Sequence, residues 1–126
     1  MWMMENDRRK FKTEFKNKIY SWVLNLLKFI DGLPKDNISR NLGNQLIRSG
    51  TSILANYVEA HFSNSKKDFA HYFRIALRSA NESKVWLTLL RDMKRSKGEI
   101  IDTLLKELQE IAAILASSII TIKHQK

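Results

Sequence analysis

Hydrophobic residues recur at spacings of three and four along most of the chain, and short polar runs interrupt this pattern three times. Such spacing places apolar side chains on one face of an α-helix. The interruptions fall at Gly32 and Pro34, at Ser63-Asn64-Ser65, and at Gly98. Glycine accepts the left-handed conformation at a helix end, and proline cannot continue a helix. The pattern therefore predicts four helices, the first over about residues 11–30, and no strand.

Each predicted helix has an apolar row that should form the core. The rows are Phe15, Ile19, Trp22, Leu26 and Ile30; Ile38, Leu42, Leu46, Ile53 and Tyr57; Phe69, Tyr72, Phe73, Ala76, Ala80, Leu87 and Leu90; and Ile101, Leu104, Leu105, Leu108, Ile111, Leu115, Ile119 and Ile122. Long helices joined by short loops pack against their sequence neighbours. We therefore expect an all-α, antiparallel, up-down-up-down four-helix bundle over residues 11–126, preceded by a basic N-terminal extension over residues 1–10.

Two local features refine this bundle. Ser65 and Asp68 have the spacing of an N-cap residue and the acidic residue that accompanies it, which predicts where the third helix starts. Gly43 and Gly50 lie inside the second helix, where glycine weakens a helix by about 1 kcal/mol relative to alanine. We interpret both glycines as sites where two helices approach closely.

The third helix carries a second apolar row beside its core row. Trp86, Leu89 and Met93 belong to this second row. A stripe this wide usually covers two partners, and a monomer would expose these large side chains to water. We therefore expect the protein to form a homo-oligomer and assign Trp86, Leu89 and Met93 to its interface.

A polar row follows one side of the second helix, where Arg48, Ser52, Asn56 and Glu59 recur at spacings of four, four and three. In an antiparallel pair of helices, Arg48 comes level with Glu82 of the third helix. We interpret these five residues as a structural polar network inside the bundle, with Arg48 and Glu82 as a buried ion pair. The alternative is that Asn56 and Glu59 face a ligand.

The charge of the chain indicates a polyanionic partner. The 126 residues carry a formal net charge of +9, which favours nucleic acid or anionic lipid, although a solvated lysine-rich surface has the same charge. The longest uncharged apolar stretch, residues 111–122, is shorter than the ~20 residues that a bilayer requires. We expect a soluble, cytoplasmic protein with no membrane partner.

The sequence shows no pattern typical of catalysis or of metal binding. The absence of cysteine excludes disulfides, thiolate metal sites and a cysteine nucleophile. Neither Glu59 nor Glu82 is part of the Glu-x-x-His motif of metal sites in bundles. The three histidines, His61, His71 and His124, lack ligand spacing and are interpreted as surface residues. We therefore expect a protein that is not an enzyme and that has no cofactor and no metal.

Basic residues cluster at the predicted starts of the first and third helices, which the bundle topology brings to the same end. They are Arg8, Arg9, Lys10, Lys12, Lys66 and Lys67. Because a helix start disfavours positive charge, the helix dipole does not explain these residues, and they are candidates for phosphate contact. A second cluster, Arg91, Lys94, Arg95 and Lys97, ends the third helix, where cations suit the dipole. Neither cluster shows interleaved exposed aromatic residues or a motif that reads bases.

Several segments resemble a known family. They include residues 45–60 (QLIRSGTSILANYVEA), residues 65–69 (SKKDF), residues 75–82 (IALRSANE) and Trp86-Leu87. These segments are similar to the four-helix-bundle proteins encoded in intervening sequences of bacterial large-subunit ribosomal RNA genes. The accessory variability protein (Avd) of diversity-generating retroelements is a more distant relative. Where the family usually has Asn-Ile-Ala-Glu-Gly, this chain keeps Asn56 and Glu59 but reads Asn-Tyr-Val-Glu-Ala.

The resemblance covers about residues 11–123 and implies the bundle fold and a homopentameric barrel. It leaves two hypotheses for function. The first is a non-enzymatic oligomeric binding protein that contacts RNA or other nucleic acid through a basic surface. The alternative is a protein-binding adaptor, for example an accessory subunit of a reverse transcriptase, because the retroelement relatives bind such an enzyme.

Overall fold

The computed structural model describes residues 5–124. The chain forms four α-helices, α1 (Glu5–Asp31), α2 (Asn37–His61), α3 (Lys66–Asp92) and α4 (Gly98–Lys123). The described residues include no strand. The predicted all-α fold with four helices is confirmed, and each predicted interruption lies at a loop or at a helix start.

The first helix begins earlier than its apolar pattern predicts. α1 starts at Glu5 and not near Phe11. Arginine and lysine are good helix formers, and Asp7 lies in the first turn, where negative charge suits the helix N-terminus. Residues 5–10 of the predicted extension are therefore helical, while residues 1–4 lie outside the described part of the chain.

Side-chain caps fix the starts of α2 and α3. The Asp36 carboxylate accepts hydrogen bonds from the backbone N–H of Ser39 at 3.0 Å and from the Ser39 hydroxyl at 2.8 Å. The Ser65 hydroxyl accepts a hydrogen bond from the backbone N–H of Asp68 at 3.1 Å, which confirms the predicted cap. These bonds satisfy backbone donors that have no partner within the helix.

The end of α3 has a left-handed cap without glycine. Lys94 has a φ of 55°. Its N–H donates to the Arg91 carbonyl at 3.0 Å, and the Arg95 N–H donates to the Leu90 carbonyl at 3.0 Å. This pair of bonds is the Schellman motif, in which the left-handed position usually holds glycine.

The predicted apolar rows form the core, with few exceptions. The largest fully buried side chains include Trp22, Leu26 and Leu46. Ile38, assigned to the core row of α2, is instead 40% exposed. It lies in the first turn of α2, directly after the loop that joins α1 to α2. A side chain at this position has fewer neighbours than one in the middle of a helix.

Sequence-adjacent helices are neighbours in space, and α2 and α3 have the most extensive contact. Between them, the hydroxyls of Ser49 and Ser83 lie 2.7 Å apart, and the Ser79 hydroxyl donates to the Ser52 hydroxyl at 2.9 Å. These serines let α2 and α3 approach closely because their side chains are small. Among the described residues, no helix has both the length and the apolar character that crossing a membrane requires.

Candidate functional site

A cavity of about 500 Å³ lies at the end of the bundle where α1 starts, α2 ends, α3 starts and α4 ends. We call it the aromatic cavity because six rings line it. They are Phe11, Phe15, Tyr57, His61, Phe69 and Phe73. Each of the first three helices contributes one pair of rings separated by four residues, so that both rings of a pair lie on the same helix face.

The rings form a continuous chain of contacts. The edge of one ring meets the face of the other between Phe15 and Tyr57, at 5.1 Å between centroids, and between His61 and Phe69, also at 5.1 Å. Phe69 and Phe73 are stacked at 4.5 Å. Aromatic pairs at such separations stabilise beyond the area that they bury. The walls of the cavity are therefore held in place by ring-to-ring contacts.

Two of these rings carry ionisable groups whose pKa values are shifted from the ordinary ones. Burial, followed by the positive charges of Lys12 and Lys16, lowers the pKa of His61 to about 4. Burial raises the pKa of Tyr57 to about 12, and its hydroxyl donates to the Lys12 carbonyl at 3.2 Å. His61 is therefore a neutral ring at physiological pH, and its buried Nε2 has no hydrogen-bond partner. This residue is not the surface histidine that its spacing suggested.

Cations surround the aromatic cavity. Arg8 and Lys12 line it directly. Lys12 and Lys16 line a smaller concavity of about 220 Å³ that Tyr57 and His61 also border. A third concavity, beside the α2–α3 loop, includes Lys66. We call these four cations the basic pole. Within the described residues, no carboxylate lines any of the three concavities.

The predicted phosphate-binding residues divide into two groups. Arg8, Lys12 and Lys66 line the concavities, as described above. Arg9, Lys10 and Lys67 are exposed and line none of these three concavities. Phe11 is 48% exposed and Phe62 is 77% exposed at the same end. The expectation that no exposed aromatic residue accompanies the basic cluster is therefore wrong.

The second basic cluster, at the end of α3, is partly neutralised by acids. Arg91 pairs with Asp102 at 3.1 Å and with Asp92 at 3.3 Å, and Arg95 lies 3.5 Å from Asp36. In contrast, Arg8, Lys12 and Lys16 form no ion pair with any described residue. The two ends of the bundle therefore differ in how much positive charge is available to a partner.

The buried ion pair predicted between Arg48 and Glu82 does not form. Both side chains are exposed, and no ion pair joins them within residues 5–124. The Arg48 guanidinium donates to Gln45, and Glu82 accepts a weak bond from the Trp86 indole at 3.4 Å. A step of one residue turns a helix by about 100°, so Ser49 and not Arg48 faces α3.

Two members of the predicted polar network do bond to each other. The Asn56 amide donates to the Ser52 hydroxyl at 3.0 Å and to the Ser52 carbonyl at 2.9 Å. Glu59 is exposed. Ser49, Ser79 and Ser83 were not predicted to belong to this network, although Ser79 and Ser83 lie four residues apart at small-residue positions beside Ala76 and Ala80. The hydrogen bonds between α2 and α3 are therefore made by serine hydroxyls, and the network contains no charged pair.

The three predicted interface residues differ in exposure. Leu89 and Met93 are each 42% exposed. Trp86 is half-buried and packs against the core cluster. The neighbouring Val85 is 52% exposed. The exposed apolar surface of α3 therefore includes Val85, Leu89 and Met93, while Trp86 is partly buried.

Phe15, Tyr57, Phe69 and Phe73 were predicted as core residues, and their periodicity did not indicate that they line a cavity. Three aromatic pairs at a spacing of four, all at one end of the predicted bundle, are the signal that could have identified it. The described residues contain no group of three or more histidine, aspartate or glutamate side chains that could hold a metal ion. The notable chemistry of this end is therefore aromatic and cationic.

Comparisons with known proteins support the resemblance stated above. A family model described as 23S rRNA-intervening sequence protein matches residues 11–117. The chain is also similar to the crystal structure of a protein with unknown function from the S23 ribosomal protein family of Bacteroides thetaiotaomicron. The two are 30% identical, and the match covers 86% of this chain and 96% of that chain with a TM-score of 0.80. No match to the chain was found among the curated proteins. With most of its length matched by the family model, this four-helix bundle belongs to the 23S rRNA-intervening sequence protein family.

Proposed function

We propose that this protein is a non-enzymatic, homo-oligomeric RNA-binding protein whose basic pole contacts the phosphate backbone. One observation carries the proposal. Arg8, Lys12 and Lys16 have no acidic partner among the described residues and border concavities without a carboxylate. Cations in such surroundings attract a polyanion because no neighbouring negative charge offsets them.

The two ends of the bundle differ in ion pairing, and this difference favours RNA binding at the basic pole over attraction to the whole charged surface. Net charge alone would attract nucleic acid to any part of the surface. The arginines at the end of α3 are engaged by Asp36, Asp92 and Asp102, whereas three cations of the basic pole are not. Binding is therefore expected to concentrate at one end of each subunit.

Ribosomal RNA is the natural first ligand to test, because the matching family is described by its relation to 23S rRNA. Phosphate contacts position a protein on nucleic acid without reading its sequence. The cations of the basic pole match no motif that reads base edges in a groove. We therefore expect little sequence preference for double-stranded RNA.

The proposal includes an antiparallel bundle assembled into a homopentamer, as the family resemblance implies. The serine pairs support the antiparallel arrangement, because Ser49 meets Ser83 and the later Ser52 meets the earlier Ser79. The exposed Val85, Leu89 and Met93 support self-association. Light scattering should give a mass about five times that of the 14.8 kDa protomer. A monomeric native protein would remove the assembly from the proposal.

Charge reversal tests the proposed RNA contact. Fluorescence anisotropy with a labelled single-stranded RNA at low salt should show weaker binding by Lys12→Glu/Lys16→Glu than by the native protein. Lys35→Glu/Lys97→Glu is the matched control, because it changes the net charge equally at two exposed lysines at the other end of the bundle. Equal losses in the two double variants would indicate attraction by net charge alone and contradict a defined contact surface.

A protein-binding adaptor is the second candidate, and the apolar surface of α3 favours it. Val85, Leu89 and Met93 could be covered by a different protein instead of a second copy of this chain. Reverse transcriptase is the example that the resemblance suggests. Leu89→Glu should then leave RNA affinity unchanged while abolishing capture of that protein. If native protein binds no RNA at low salt, the adaptor becomes the leading function.

A further inference from the structure

The aromatic cavity has features that phosphate binding alone does not require. Rings from three helices line it, and Phe11 stands at its margin with 48% of its surface exposed. Phe11 is stacked on Phe15 at 6.4 Å between centroids. A volume of about 500 Å³ falls within the range of about 300–1,000 Å³ that is typical of small-molecule sites. The cavity is therefore large enough for a flat aromatic group with substituents.

Charge and ring alternate along one face of α1 at this cavity. Arg8, Phe11, Lys12 and Phe15 all line it and are separated by three, one and three residues. Residues three or four apart share a helix face, and Arg8 and Phe15 each stand at these distances from both Phe11 and Lys12. A ligand that enters between the rings therefore meets a guanidinium and an ammonium group within one or two helical turns. This arrangement suits a ligand that carries a planar ring and a negative charge close together.

Polar groups on α4 form another part of the cavity wall. Ser117, Ser118 and Thr121 line the cavity. Ser118 and Thr121 donate their hydroxyl protons to carbonyls of their own helix, at 2.8 Å and 3.0 Å, so their oxygens can still accept a hydrogen bond. The wall can therefore receive amino or imino groups of a bound ring.

We infer that the aromatic cavity binds one unstacked base of single-stranded RNA while the phosphates beside that base contact Arg8 and Lys12. This inference rests on the proposed function and names the part of the RNA that the protein holds. A nucleotide joins a flat π-face to a fixed negative charge, which matches the alternation on α1. An acidic peptide supplies the charge but not a ring at a fixed distance from it. Stacking of bases on aromatic side chains is the usual mode of single-strand binding.

Phe11→Ala tests this inference directly. Phe11 is exposed enough for its removal to leave the core intact, as thermal unfolding will verify. Losing one base–aromatic stack should weaken binding of a short single-stranded RNA by about 5- to 150-fold. Tyr20→Ala is the control, because Tyr20 is an exposed aromatic residue of α1 that lines none of the three concavities. Its affinity should equal that of the native protein.

A second variant and a second ligand give independent readouts. Ser117 is exposed and lines the cavity, so Ser117→Phe should fill it from the margin and weaken binding. For the native protein, replacing the bases of the oligonucleotide with abasic sites should cause a loss like that of Phe11→Ala. The Phe11→Ala variant should bind intact and abasic strands equally.

The outcomes separate this inference from the proposed function. If the native protein binds RNA but Phe11→Ala and Ser117→Phe bind it equally well, the cavity holds no base and only this inference is overturned. If an acidic peptide competes in a way that depends on Phe11 while abasic RNA binds as tightly as intact RNA, the cavity is a peptide site. If the native protein binds no RNA at low salt, the proposed function fails as well.

Discussion

Gly50 of α2 lies against the α1 residues Leu26 and Trp22. A Cβ atom added at Gly50 would overlap Cδ2 of Leu26 and would lie 3.6 Å from Cζ3 of Trp22. Leu26 and Trp22 are 0% and 1% exposed, so neither side chain can move into solvent. Alanine raises helix propensity by about 1 kcal/mol, whereas an extra methyl group in a filled core costs about 1–3 kcal/mol. We expect Gly50→Ala to destabilise the protein by about 1 kcal/mol.

The sign of this effect should reverse when Leu26 is shortened. Leu26→Ala alone should cost about 2–5 kcal/mol because it leaves a cavity. In that background, the methyl group of Gly50→Ala occupies free space and the gain in helix propensity remains, so the second substitution should stabilise by about 1 kcal/mol. The coupling energy between the two sites should therefore be about 2 kcal/mol, a typical value for residues in contact.

Urea unfolding followed by circular dichroism measures all four members of this cycle. The variants must be compared at one protein concentration, because the stability of an oligomer depends on concentration. Gly43→Ala is the control, since its Cβ would lie 3.2 Å from a methyl group of the half-buried Ile30, which has room to shift. It should be neutral or stabilise by up to about 1 kcal/mol. A coupling energy near zero would refute the proposed contact between Gly50 and Leu26.

Three further predictions concern single groups. Lys94→Gly should stabilise by about 0.5–1 kcal/mol in thermal unfolding, because glycine adopts the left-handed φ of 55° without strain; destabilisation would contradict this. The pKa of His61 is lowered to about 4, so its contribution to stability is complete above pH 6.5 and is lost as pH falls towards 4. The loss of unfolding free energy should be well below the about 3 kcal/mol that the full pKa shift corresponds to, because solvent screens the half-buried ring, and His61→Gln should flatten the pH profile. Ser83→Ala strands the buried Ser49 hydroxyl and should cost about 1–3 kcal/mol in urea unfolding; a double alanine variant that is no closer to the native stability would count against the hydrogen bond.

The local features of the fold could be predicted from the sequence because they depend on neighbouring residues. Pro34 follows the end of the first helix, and Ser65 caps the third, through backbone effects that act over a few positions. The left-handed conformation expected at Gly32 is wrong, because no described glycine has a positive φ. The start of α1 was placed too late because its first turns are polar and lack an apolar row. Periodicity detects a helix by its buried face, and these turns bury little before Phe15.

The candidate site was harder to predict because it depends on which residues of different helices meet. Periodicity correctly predicted that Phe15, Tyr57 and Phe73 are buried, but it does not show that they surround a cavity. The Arg48–Glu82 pair failed for a related reason. The helices do pair near these positions, but a change of one residue directs Ser49 to α3 and Arg48 to solvent. The basic residues of the site could be identified from the sequence. Which of them form ion pairs could not.

The salt dependence of RNA affinity tests the central claim most directly. The native protein should be titrated against a labelled single-stranded RNA at several salt concentrations. Arg8, Lys12 and Lys16 can provide three phosphate contacts in each subunit, so the logarithm of the affinity should fall with the logarithm of salt concentration with a slope of about −2 for each subunit that engages. Binding that is absent at low salt, or an affinity that does not change with salt, would contradict the account.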